Sequence, residues 1–148
     1  MNEIQELYRE VILDHNRHPR NFGEIENADR VVEGINPLCG DRITLYLCLN
    51  KENVEDIMFS GTGCAISVAS SSLMTDKVKG TSVSDALDLF DKIHRLLTDE
   101  NDCQTEDLDK LAALSGVRQY PTRVKCASLA WHALKTALTG SEASTSTE

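Results

Sequence analysis

Ile43-Thr44-Leu45-Tyr46-Leu47-Cys48-Leu49, then Asn50-Lys51-Glu52-Asn53, then Val54-Glu55-Asp56-Ile57-Met58-Phe59-Ser60, is the stretch whose reading decides the fold. Its first run alternates apolar and mostly more polar residues, the period of two that puts successive side chains on opposite faces of a strand. The polar tetrad is a turn, so the two runs pair as a hairpin. One buried face requires Ile43, Leu45 and Leu47 to lie opposite Ile57 and Phe59. All five positions are odd-numbered, and a simple turn centred near residues 51–52 would not match odd with odd. A slightly longer loop or a bulge is therefore predicted. In either register that satisfies the pattern, Cys39 falls opposite residue 63 or 65, next to Cys64.

Helical and loop signals flank the hairpin. Ile4, Leu7, Tyr8, Val11 and Ile12 have the spacing of an amphipathic helix over Glu3 to His15, followed by a loop at Pro19 and Gly23. Arg30 to Ile35 reads as a short strand ended by Asn36-Pro37. Cys64 to Lys79 reads as a helix stopped by Gly80, and a further helix, capped by Ser82 or Ser84, runs through Leu97. Thr98 to Gln104 is a polar loop, Thr105 to Leu114 a short helix capped by Thr105, and Thr122 to Thr139 a last helix closed by Gly140. Residues 1–140 thus form a single α+β domain, three strands with about five helices. The tail 141–148, of Ser, Thr, Glu and Ala only, has nothing to bury and is expected to be disordered.

The chain has 148 residues, 41% hydrophobic and 26% charged, which suits one core. No apolar run reaches the roughly 20 residues of a membrane span, and the N-terminus lacks the basic and apolar blocks of a signal peptide. A net charge of −9, from 24 acidic and 15 basic residues, argues against a protein that tracks nucleic-acid phosphates. The five cysteines, 39, 48, 64, 103 and 126, are odd in number, which argues against a disulfide framework and for a reducing, cytoplasmic setting.

Cys39, Cys64 and Asp41, two residues beyond Cys39, converge at the open end of the hairpin among Gly40, Gly61 and Gly63. A tetrahedral site for zinc or iron–sulfur chemistry wants one more soft ligand. Cys126 can supply it, in the first turns of the last helix on the face of Ala130, Ala133 and Ala137. Cys64 too starts a helix, where the dipole favours a thiolate. Read from spacing alone, these residues equally allow three buried cysteines and a solvated aspartate.

Asn36-Pro37-Leu38-Cys39-Gly40-Asp41, Gly61-Thr62-Gly63-Cys64-Ala65-Ile66-Ser67 with Ala69-Ser70-Ser71-Ser72, and Arg123-Val124-Lys125-Cys126 resemble the NifU/IscU-like iron–sulfur assembly family. Leu7-Tyr8, Asp14-His15, His18-Pro19-Arg20-Asn21 and Gly23 fit the same resemblance, which spans about Glu3 to Thr139. It implies a small antiparallel three-stranded sheet packed with helices. Scaffold-type members carry a histidine before the third cysteine and a Leu-Pro-Pro-Val-Lys chaperone segment. This chain has Lys125 there, Gln119 to Lys125 in place of the segment, and an extra stretch from about Leu97 to Val117. These departures are similar to the SufU branch of zinc-dependent sulfurtransferases.

That resemblance implies zinc held by Cys39, Asp41, Cys64 and Cys126, with Cys39 accepting persulfide sulfur from a cysteine desulfurase of the SufS type and Asp41 tuning ligand exchange. The sulfur would pass to downstream iron–sulfur assembly or acceptor proteins. A lysine ammonium has no lone pair for a metal, so Lys125 leaves three thiolates and a carboxylate as the set. The competing reading is a scaffold that assembles and transfers a [2Fe–2S] cluster, or holds iron, on the same residues; a purely structural zinc site is the third. Cys48 and Cys103 read as incidental thiols, His15, His18, His94 and His132 as structural or solvated, and Trp131 as core. The Ser70-Ser71-Ser72 run lacks triad partners. Arg20, Arg123 and Lys125 are candidates for a basic rim.

Overall fold

The computed structural model describes residues 3–98, 109–118, 120–140 and 144–146. Helix α1 (Glu3–Arg17) leads into strands β1 (Arg30–Asn36), β2 (Asp41–Asn50) and β3 (Asn53–Thr62). Helices α2 (Ala65–Val78) and α3 (Val83–Thr98), a 3-10 helix (Asp109–Val117), helix α4 (Pro121–Thr139) and a short strand β4 (Ser144–Ser146) follow. The sheet order is β3-β2-β1-β4. Its three-stranded antiparallel body and surrounding helices are the α+β architecture predicted from the pattern.

The hairpin resolves its parity problem with a bulge. Leu45 pairs with Phe59 and Leu47 with Ile57, and the register shifts between Cys48 and Leu49. Ile43, Leu45, Leu47, Ile57 and Phe59 are consequently all fully buried on one face. Helix α4 crosses this region closely enough that a Cβ on Gly34 of β1 would stand 3.2 Å from Leu129 Cδ1.

Helix α2 is buried on nearly every side, and its hydroxyls repay that burial with hydrogen bonds. Ser70 Oγ donates to the Ala127 carbonyl at 2.6 Å and accepts from Trp131 Nε1 at 3.1 Å, joining α2 to α4. Ser71 Oγ donates to the Ser67 carbonyl at 2.8 Å. Ser72 Oγ lies 2.7 Å from His15 Nδ1 and accepts the Arg20 N–H at 2.8 Å. The serine run is therefore packing chemistry. Of the two cap candidates for α3, Ser82 serves: its Oγ accepts the Asp85 N–H at 3.0 Å. Helix α4 ends at Gly140 in the left-handed conformation (φ 67°), as its sequence predicts.

Two expectations need adjustment. The short helix anticipated over 105–114 is described only as the 3-10 turn set Asp109–Val117; its cap Thr105 and Cys103 lie outside the described residues. The tail expected to be disordered contributes Ser144–Ser146 as a strand parallel to β1, with Glu33 opposite Ser144 and Ile35 opposite Ser146. Strand pairing there uses backbone donors and acceptors left on the β1 edge, so it needs no apolar side chain. Among the described residues no helix is long and apolar enough to cross a membrane.

Candidate metal centre

Three connections deliver the site. The turn between β1 and β2 folds back through a 3.3 Å bond from the Cys39 N–H to the Asn36 carbonyl, with Gly40 at φ 71°. That turn leaves Cys39 exposed at its tip and starts β2 with Asp41, which faces inward and is 0% exposed. After β3 the chain turns through Gly63 into α2, whose N-cap is Cys64. Cys126 enters from the early turns of α4 and is 3% exposed.

Three of the four side chains meet closely. One ligand atom each from Cys39, Asp41 and Cys126 lies within 4.8 Å of the others. The Cys126 and Cys39 sulfurs are 3.3 Å apart. Cys64 stands at the edge of this tight group: its Sγ is 3.8 Å from Asp41 Oδ2 and accepts the Ser67 N–H at 3.4 Å. Asp41 is anchored by the Cys64 N–H, which donates to Oδ1 at 2.8 Å. Gly63 makes room for this contact, since a Cβ there would stand 3.0 Å from Asp41 Oδ1.

The electrostatics are those of crowded acidic donors. The Cys126 thiol is pushed far above its ordinary value, first by burial, then by hydrogen bonding to Cys39 and Cys64 and by the negative charges of Cys64 and Asp41. Among the described residues no Lys or Arg pairs with the buried Asp41 carboxylate. Three sulfurs and one carboxylate oxygen match the number and softness of ligands that a tetrahedral zinc ion takes, so the residues present fit that metal.

Asn36 and Ser67 were not singled out as site residues in the sequence, although both touch the donor set. Asn36 reads there as a turn former, and nothing in its spacing tells which way a turn residue's amide will face. Leu38, next to Cys39, is 63% exposed, and at the start of α4 the Tyr120 ring lies 4.5 Å from the Arg123 guanidinium. The Tyr8 hydroxyl titrates above its ordinary value because of burial, opposed by the charge and hydrogen bond of Arg123. The expected basic rim is thinner than predicted, because Arg20 is paired with Asp14 at 2.8 Å. Cys48 sits half-buried in β2, apart from the other described cysteines. His15 is buried against Ser72, while His94 and His132 pack around Phe90.

A sequence model of the NifU-like N terminal domain matches residues 7–127. The chain is 42% identical over 132 residues to the zinc-dependent sulfurtransferase SufU of Bacillus subtilis (strain 168), covering 89% of each. It is 38% identical over 138 residues to the iron-sulfur cluster assembly scaffold protein IscU of Streptococcus pyogenes serotype M1, covering 93% of this chain and 86% of that one. A solved structure of a putative iron-sulfur cluster assembly scaffold protein for the SUF system, from Fervidobacterium islandicum AW-1, matches with a TM-score of 0.83. That likeness holds at 34% identity over 90% of this chain and 98% of the other.

Proposed function

This chain belongs to the NifU-like N-terminal domain family, and from that premise we propose that it serves iron–sulfur cluster assembly as a zinc-dependent sulfurtransferase. The observation that supports the reading is the grouping of Cys39, Asp41 and Cys126 with Cys64 beside Asp41, Cys39 alone of these three thiols lying on an exposed turn. Zinc held by these four residues would supply one thing, a positive charge that keeps buried thiols deprotonated near neutral pH. Asp41 is the harder and weaker partner in such a set, which eases exchange at the site.

Cys39 is the residue placed to accept sulfur. Cys64 caps α2 and Cys126 is buried inside α4, so neither can swing out without disturbing a helix. The Cys39 thiolate attacks the outer sulfur of a persulfide carried by a cysteine desulfurase of the SufS type. A new S–S bond forms on Cys39 Sγ, the old one breaks, and the desulfurase cysteine leaves as a thiolate. Electrons balance within the exchanged S–S bond, so no outside oxidant or reductant is required. The persulfide then goes to downstream assembly or acceptor proteins. Free thiols in this arrangement suit a reducing, cytoplasmic setting.

Cys39→Ser tests the assignment. The variant is expected to fold and to lose all stimulation of the desulfurase; stimulation at the wild-type rate would remove Cys39 from its role. A second reading, a scaffold for a [2Fe–2S] cluster, is favoured by the likeness to the Streptococcus pyogenes IscU. Reconstitution with iron and sulfide separates the two. A stable visible-absorbing cluster that passes to an acceptor protein supports the scaffold, and tight zinc with persulfide turnover supports the transferase.

A further inference from the structure

Asn36 is fully buried at the end of β1, directly opposite Asp41 across the ladder. Its carboxamide offers two N–H donors and one carbonyl acceptor. Nδ2 lies 3.4 Å from Asp41 Oδ2 and 3.5 Å from Cys126 Sγ, so both donors have an acceptor in the donor set. The two oxygens face the other way. Oδ1 accepts the Leu38 N–H at 3.3 Å, and the backbone carbonyl accepts the Cys39 N–H, also at 3.3 Å.

We propose that Asn36 is a positioning residue that divides the site into a fixed half and a moving half. This deepens the reading above and rests on it, since it takes Cys39 as the ligand that leaves. The amide nitrogen holds Cys126 and Asp41, while the oxygens tether the root of the turn that carries Cys39. When Cys39 swings out, the bonds to its turn are the ones that must break. The two bonds from Nδ2 are untouched, and they keep the remaining ligands aimed at one point.

The chemistry suits that role. An N–H donated to a thiolate or carboxylate is charge-assisted, and it disperses negative charge where anions crowd. A buried carboxamide is costly unless its donors are met, and here they are met by Asp41 and Cys126. A purely conformational Asx turn would need only Oδ1 on the Leu38 N–H and the backbone bond to Cys39, and would give the Nδ2 donors no part to play. Removing outer partners of this kind typically lowers metal affinity 10- to 100-fold.

The test uses the full chain loaded with 113Cd, a spin-active stand-in for zinc. One Asn36 side-chain amide proton is expected to show scalar coupling to the metal, carried through its hydrogen bond to Cys126 Sγ. Asn36→Asp keeps the volume but replaces the donors with an anion. It is expected to lower zinc affinity at least tenfold in competition with a chromophoric chelator. Cadmium bound at Cys126 with no coupling to Asn36 overturns this proposal alone, and so does wild-type zinc affinity in Asn36→Asp. Failure of the wild-type chain to bind cadmium or zinc overturns the metal reading and this proposal with it. The coupling is read on the unmutated chain, so it stands even where the variant does not fold.

Discussion

At Gly61 the backbone takes φ 126°, and a Cβ would overlap the Arg42 carbonyl oxygen across the hairpin. Two residues on, Gly63 has ordinary dihedrals, but a Cβ there would crowd Asp41 Oδ1 at 3.0 Å and Ser67 Oγ at 3.2 Å. The same substitution should therefore fail in two different ways. Gly61→Ala is expected to destabilise the fold by about 1–3 kcal/mol, the usual cost of forcing a side chain into a glycine-only conformation. Gly63→Ala is expected to melt close to wild type yet bind zinc about tenfold more weakly, because it displaces a ligand carboxylate. Thermal unfolding and chelator competition, run on both variants, read the two effects separately.

Among the elements, α3 and α4 meet around an aromatic cluster with its own acid sensitivity. The Phe90 ring stacks on His94 at 5.9 Å and meets His132 edge-on at 5.6 Å, with the Lys135 ammonium 5.0 Å from the Phe90 centroid. His132 titrates below its ordinary value through burial first, then through the nearby charges of His94 and Lys135. The unfolded chain binds a proton there more readily than the folded one. This contribution to stability is therefore complete above about pH 6.5 and is lost as the pH falls through the lowered folded value. His132→Gln is expected to flatten the decline in melting temperature below pH 6.5. An unchanged acid limb would remove His132 as its source.

For the whole molecule, the site ties residue 39 to residue 64 and to residue 126, bridging the sheet, α2 and α4. An ion bound only by the folded chain stabilises it by mass action, about 2.7 kcal/mol at a free concentration 100 times its dissociation constant. Chelation is expected to lower the melting temperature, and added zinc to restore it. The metal-free protein should also weaken as the pH rises past the ordinary thiol range near 9. The folded state holds Cys126 protonated there, while the unfolded chain is free to ionise. Melting curves with and without chelator, taken from pH 7 to 10, check both arms. Equal curves would mean that no ion bridges these segments.

Sequence periodicity determined the four long helices, the hairpin and its need for a bulge, because alternation ties strand register to one buried face. It also offered Cys126 as a further ligand, although spacing alone left buried, unligated cysteines equally open. Tertiary structure decided the rest. The hydroxyls of α2 are spent on Trp131, His15 and backbone carbonyls, although sequence shows only a serine run. The polar tail pairs with β1 through backbone groups that carry no sequence signature. Whether the Asn36 amide faces solvent or the donor set depends on the packing of α4 above β1, a long-range contact invisible in the spacing of a turn. Local pattern settles which face of an element is buried; only the assembled chain settles what each buried polar group finds there.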